Sequence, residues 1–188
     1  MDWTVRLKKI AIVLILANLV SIVSLAQNGY FKVSGPDFLE RTNFIFVGTL
    51  LDQASFRSPD GRYILTRHIF RVEDAVKGKP GTTIEIMEYG GTLGNKSMTV
   101  SHSASYQEGG KYLVFSHPRS TAGNRTFAGP LGRFPVLTDE KGNRTVRIYS
   151  SHPLLEVLER EEAGILQDLG QFSRQIRSQV ERRSGETQ

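Results

Sequence analysis

Residues 90–97, Gly90-Gly91-Thr92-Leu93-Gly94-Asn95-Lys96-Ser97, hold the glycines, lysine and hydroxyl from which phosphate-binding loops are made. Such a loop needs Gly-x-x-x-x-Gly-Lys-Ser/Thr between a strand and a helix, so that helix amino-terminal N–H groups meet the phosphate. Here Asn95 separates the last glycine from Lys96, and Met98-Thr99-Val100 continues in strand-forming sequence. The stretch reads as a turn between two strands, and nucleotide binding is set aside.

Four histidines, His68, His102, His117 and His152, are the next candidates for chemistry. None has the short helical spacing of paired zinc ligands. His102 and His117 each end a predicted strand, which would place both on one rim beside Asp or Glu. A metal-dependent or carboxylate-based hydrolase using His102 and His117 is therefore the enzymatic alternative. A serine nucleophile would want a Gly-x-Ser-x-Gly elbow, and the chain has none. Glu73, Asp74, Glu85 and Glu88 fall on or next to predicted strands, where an ordinary exposed face carries the same residues as a glycosidase pair. No catalytic constellation, metal site or cofactor is expected, and the leading reading is non-enzymatic.

The elements that position these residues start after an export signal. Arg6, Lys8 and Lys9 precede sixteen uncharged residues, 10–25, and Ser24-Leu25-Ala26 supplies small residues before a cut between Ala26 and Gln27. Sixteen residues fall short of the ~20 that span a bilayer as a helix, so the membrane is met only if this segment stays uncleaved. Removing 26 of the 188 residues leaves 162, enough for one domain with a sizeable core. The chain has no cysteine, which excludes disulfides and thiolate metal sites and fits an exported bacterial protein, periplasmic or extracellular. The segment takes three basic residues and one acidic residue with it, lowering the formal net charge from +5 to +3. That is too mild to argue for nucleic acid, and most of the surplus sits near Arg174, Arg177, Arg182 and Arg183.

Strand signals then follow one another. Residues 43–51, Asn-Phe-Ile-Phe-Val-Gly-Thr-Leu-Leu, are dense in β-branched and aromatic types, with Gly48 marking a bulge or bend. Ser58-Pro59-Asp60-Gly61 is a turn with a mechanism, proline presetting one torsion and glycine accepting positive φ. Residues 63–76 alternate, with Ile64, Thr66, His68, Phe70 and Val72 on one face. Further strands are predicted at 83–89, 97–102 and 108–117, where Tyr112 to Phe115 suit burial on both sides. A hairpin over 133–149 turns through Lys141-Gly142-Asn143. From Pro153 the apolar period becomes helical, through Ile165, Leu169, Phe172, Ile176 and Val180, with a break near Gly164. Asn95, Asn124 and Asn143 open glycosylation-type sequons, to which no role is assigned.

The resulting map is a signal peptide over 1–26, a lead-in over 27–36, a β-barrel domain over 37–150, an amphipathic helical tail over 151–182 and a disordered end over 183–188. The fold class is mainly β, a small OB-like barrel of about five strands plus a β-hairpin, with a C-terminal helical tail and an N-terminal signal helix.

The order Phe38 to Leu51, Phe70 to Ile86, Gly90 to Gly94, Tyr106 to Ser116 and Gly132 to Leu137 resembles a group of uncharacterised exported bacterial domains. In that group a V-x-G-x-V strand leads to V-x-x-V-x-K-G, a Gly-Gly loop and a G-x-x-Y-L-V-F strand. The resemblance covers roughly 38–150, and residues 171–177 are similar to the group's usual helical ending. It implies an OB-like barrel, distantly similar to the netrin-like domain of tissue inhibitors of metalloproteinases. Those inhibitors chelate zinc through an amino-terminal cysteine, which this chain lacks, so no inhibitory role carries over.

The function expected is an exported binding or structural module of the cell envelope, contacting protein or polysaccharide through rim loops near 89–97 and 117–132. Gly91, Asn95, Lys96, His117, Arg119 and Phe127 are the candidate contacts. Binding of an anionic polymer by barrel and tail is the remaining alternative.

Overall fold

The computed structural model describes residues 33–119, 123–149, 151–158 and 166–186. The signal segment 1–26, residues 27–32 of the lead-in, Gly164 and the last two residues lie outside the described residues. The fold is mainly β, one large sheet, one small hairpin sheet and a C-terminal helix. No helix among the described residues is long and apolar enough to cross a membrane.

Ser34 caps helix α1 (Gly35–Glu40) in a reciprocal box, its hydroxyl accepting from Asp37 N while Asp37 accepts from Ser34 N. Helix α1 leads into β1 (Phe44–Arg57), which forms a long hairpin with β2 (Ile64–Lys77). The register slips at Val47/Gly48, as the glycine led one to expect. A Cβ at Gly48 would stand 2.7 Å from the Arg71 carbonyl, so no larger residue permits this approach.

β3 (Thr83–Tyr89) continues the large sheet. Residues 97–102, expected as one strand, behave differently. β4 (Gly91–Leu93) and β5 (Lys96–Met98) make their own two-stranded sheet around the Gly94-Asn95 turn, and 99–106 is irregular. β6 (Lys111–Arg119), β7 (Gly123–Thr126), β8 (Arg133–Thr138), β9 (Arg144–Arg147) and β10 (Leu166–Asp168) complete the large sheet in the order β1-β2-β3-β7-β6-β8-β9-β10. β1 also pairs β6 antiparallel, from Phe44↔Ser116 to Thr49↔Lys111, while β3 and β7 run parallel through the single pair Ile86↔Asn124. The pairings β1–β2–β3–β7–β6–β1 therefore return to their first strand.

Strand alternation sends the side chains of β1 and β6 into two cores. Phe46, Leu50, Tyr112 and Val114 pack with Phe70, Ile84, Ile86 and Tyr106 on one side. Ile45, Val47, Leu113 and Phe115 pack on the other against α1, β8, β9 and the final helix. The apolar run in β6 is buried on both faces, as expected.

The tail departs from the sequence expectation. Pro153–Glu156 is a 3-10 turn, and helix α2 (Leu169–Glu186) begins only where Asp168 accepts a hydrogen bond from Gln171 N at 2.7 Å. Leu169, Phe172 and Ile176 are fully buried, so the helix is docked. It also runs past 182, where a disordered end was expected, because Arg183 reaches Glu40 at 2.8 Å and the helix face still has a partner there.

Candidate functional site

A cleft of about 860 Å³ opens where the distal half of β1, the start of β2 and the end of β3 meet the β4–β5 hairpin and the 99–106 segment. The turn between β3 and β4 shapes it. Gly90 (φ +102) donates to the Ile64 carbonyl at 2.8 Å, and its own carbonyl accepts from Thr66 Oγ1 at 2.7 Å. That uses the Thr66 proton, so Ser55 is the donor in the 2.9 Å bond between the two hydroxyls. Gly91 (φ +126) lies directly over this pair, where a Cβ would come within 2.2 Å of Thr66 Oγ1 and 2.5 Å of Ser55 Oγ.

The floor is a buried polar group on the otherwise apolar inward face of β2 and β3. His68 is 3% exposed, with its ring edge-on to Tyr106 at 5.0 Å, and its Nδ1 is buried without a hydrogen-bond partner. Burial pulls its pKa down to about 4 against the opposing pull of the Glu88 carboxylate, so the imidazole is neutral near pH 7. Glu88, 2% exposed, accepts from Thr126 N at 2.9 Å, Ser103 Oγ at 2.7 Å and Arg125 Nη2 at 3.4 Å. Tyr106 hydrogen-bonds Thr126 Oγ1 at 2.6 Å, and burial, with Glu88 nearby, raises its phenol pKa far above the ordinary value.

The walls are rich in hydroxyls. Ser55, Thr66, Thr92, Ser97, Thr99, Ser101, Ser103 and Ser105 all line the cleft, joined by the Tyr89 ring. Thr92 and Ser97 bond to each other at 2.9 Å across the small hairpin. Tyr63 meets Tyr89 edge-on at 5.3 Å, and the Arg125 guanidinium sits 4.5 Å from the Tyr89 ring centroid.

The expected contact residues separate into two places. Gly91 lines the cleft, and Asn95 and Lys96 are exposed at the tip of the β4–β5 hairpin. His117 and Arg119 lie on β6 instead. Phe127, 5% exposed, is a core side chain whose ring supports Phe38 and His117, so it offers no surface for a partner. His102 bonds Ser101, and its carbonyl approaches so closely that a Cβ at Gly129 would lie 2.1 Å away. Among the described residues, no cluster of three or more His, Asp or Glu side chains is disposed to hold a metal.

Of the four strand carboxylates, Glu88 alone lines the cleft. Glu73 is engaged by Thr49, Lys111 and Arg144, Asp74 by Arg177, and Glu85 faces Arg67. Sequence reasoning missed Ser55 and Thr66 as site residues, and weighed Glu88 only as one of four strand carboxylates. The available signal was the pair Thr66 and His68, polar residues on the same strand face as Ile64 and Phe70.

No protein family, curated protein or solved structure compared with the chain matches it.

Proposed function

We propose that this is an exported, non-enzymatic binding module of the cell envelope, whose cleft takes an uncharged segment of a polysaccharide. The five strands paired in a ring are read as a small barrel of the OB type, partly open along the seam where β3 and β7 share one residue pair. A ladder that returns to its first strand leaves no free edge within the ring, which is the purpose of barrel closure. Barrels of this kind bind oligosaccharides on the face and loops around their second and third strands. Export rests on the sequence of residues 1–26.

The observation that carries the reading is the chemistry of the cleft, eight hydroxyl side chains around a neutral imidazole. Hydroxyls donate and accept, which matches the mixed donors and acceptors of a sugar. Glu88 is already engaged by three protein donors, leaving little charge to attract an ionic ligand. The unpartnered His68 Nδ1 gives a ligand hydroxyl one more group to meet. Two-carboxylate glycoside cleavage needs a pair, whereas Glu88 is the one carboxylate lining this cleft, which favours binding over hydrolysis.

Calorimetric titration of the purified protein with cellohexaose, mannohexaose and chitohexaose tests the proposal. Saturable binding of at least one, weakened by Gly91→Ala, is expected. Heat of dilution alone with all three would overturn it.

A further inference from the structure

Four basic side chains converge beside the cleft. His117 and Arg119 stand two residues apart on β6 and so share a face, and Arg125 in β7 lies directly across from His117. Arg41, at the end of α1, brings its guanidinium to 5.4 Å from the Phe127 ring, which His117 meets edge-on at 5.6 Å. Burial first, and then Arg125, Arg119 and Arg41, push the His117 imidazole below its ordinary pKa, as expected for one ring among three guanidiniums.

Carboxylates here do not balance this charge. Arg125 reaches Glu88 at 3.4 Å, but that carboxylate is buried and shared with two other donors. Arg41 has Asp37 only at 3.9 Å, and its side chain is 63% exposed. Arg119 has no ion-pair partner among the described residues. The cations of the tail are placed differently. Arg177 is engaged by Asp74 of β2 and Arg183 by Glu40 of α1, so they dock the helix on the sheet and on α1. The sequence pointed to the tail for surplus positive charge, yet the β6–β7 hairpin and the end of α1 carry an unbalanced group.

We infer that Arg41, His117, Arg119 and Arg125 form an anion subsite for a carboxylate or phosphate group carried on the polysaccharide that the cleft takes. The inference rests on the polysaccharide reading. Arg125 links the two regions, since its guanidinium covers Tyr89 and touches Glu88, both of which line the cleft. A polymer leaving the cleft past Tyr89 meets Arg125 first. Arg41 and Arg119 then present planar guanidinium forks, whose donor geometry matches the paired oxygens of either anion.

The test is calorimetric titration of the full chain with hexagalacturonate, its fully methyl-esterified form and a phosphate-bearing mannan oligosaccharide, with cellohexaose, mannohexaose and chitohexaose as neutral comparisons. At low salt a free anion is expected to bind about tenfold or more tightly than the methyl ester, with the advantage fading by about 0.5 M salt. A stronger response from the uronate or from the phosphate arm assigns the anion. The double variant Arg41→Gln/Arg119→Gln should bind the anionic sugars no more tightly than the ester. Thermal melts verify its folding, and Arg119→Lys, which keeps the charge, should retain part of the preference. Equal affinity for acid, phosphate and ester, or a preference unchanged in the double variant, would overturn the subsite. If neutral hexasaccharides still bind in that case, the cleft reading stands, whereas failure of every saccharide sinks both.

Discussion

Glu88 Oε1 accepts the backbone N–H of Thr126 at 2.9 Å, across the seam where β3 and β7 run parallel. The two strands share only the pair Ile86↔Asn124, so a side chain supplies part of the hydrogen bonding that the ladder leaves out. Ser103 Oγ and Arg125 Nη2 also converge on Glu88, tying the irregular 99–106 segment to the same seam.

Glu88→Ala would strand these donors inside the protein. A loss of about 3 kcal/mol in unfolding free energy is expected, because bonds to a charged acceptor are worth about 1.5–3 kcal/mol each and do not add fully. Glu88→Gln keeps one acceptor oxygen and should cost clearly less. Urea denaturation of the two variants checks the order, and equal losses would mean that the charge and the second acceptor contribute nothing.

His68 makes stability depend on pH. The folded protein keeps this imidazole neutral down to about pH 4, while the unfolded chain protonates it near its ordinary value of 6.5. In that window the unfolded state binds more protons, so stability present above pH 6.5 is lost as the pH falls towards 4. The difference corresponds to roughly 3 kcal/mol. His117 and His152 are shifted in the same direction, chiefly by burial, and add to the slope. Unfolding free energies measured from pH 7 to 4 should fall more steeply for the wild-type chain than for His68→Gln. Parallel curves would show that His68 titrates normally in the folded state.

The distinction between what was legible and what was not follows the distance over which each element is determined. β1, β2, β3 and β6 announce themselves through β-branched and aromatic runs, and Ser58 to Gly61 through turn chemistry that acts within four residues. Gly48 signalled the register slip locally as well. The 99–106 segment did not, because its course is set by Ser103 reaching Glu88 and Tyr106 entering the core, contacts made across the fold. Leu154, Leu155 and Leu158 have helical spacing, yet Pro153 and the His152 cap hold that stretch in a 3-10 turn packed on α1. Phe127 looked like a loop aromatic until the α1 ring Phe38 packed against it at 5.2 Å. The cleft was half visible. Gly91 was expected on a rim loop, whereas polar Thr66 and His68 on an inward face were a signal left unread, and the walls come from β1, β2, β3, the β4–β5 hairpin and the 99–106 segment, which lie far apart in the sequence.

Gly91→Ala should damage the cleft. The φ of +126 is one that L side chains rarely adopt, and the new methyl would collide with the Ser55 and Thr66 hydroxyls. Destabilisation of about 2 kcal/mol is expected from strain and overpacking together, with weaker saccharide binding. A thermal melt and one titration check both effects. An unchanged melting temperature would contradict the close packing.

The docked tail makes its own prediction. Phe172→Ala, at a side chain 1% exposed, should cost about 3–5 kcal/mol, the range for a large aromatic removed from a core. A chain ended after Tyr149 loses Leu154, Leu169, Phe172 and Ile176 from the same cluster and should bind hydrophobic dyes. A cooperative melt of that shortened chain at the wild-type temperature would show that the helix is dispensable.

The most direct test of the proposed saccharide-binding role of the cleft is an amide-resolved NMR titration of the folded protein with cellohexaose, mannohexaose and chitohexaose. Saturable shifts concentrated at Gln53, Ser55, Gly90, Gly91, Ser97 and Ser103 are the expected result for the sugar that binds. Absence of saturable shifts with all three, or shifts gathered on β8 and β9 instead, would contradict it.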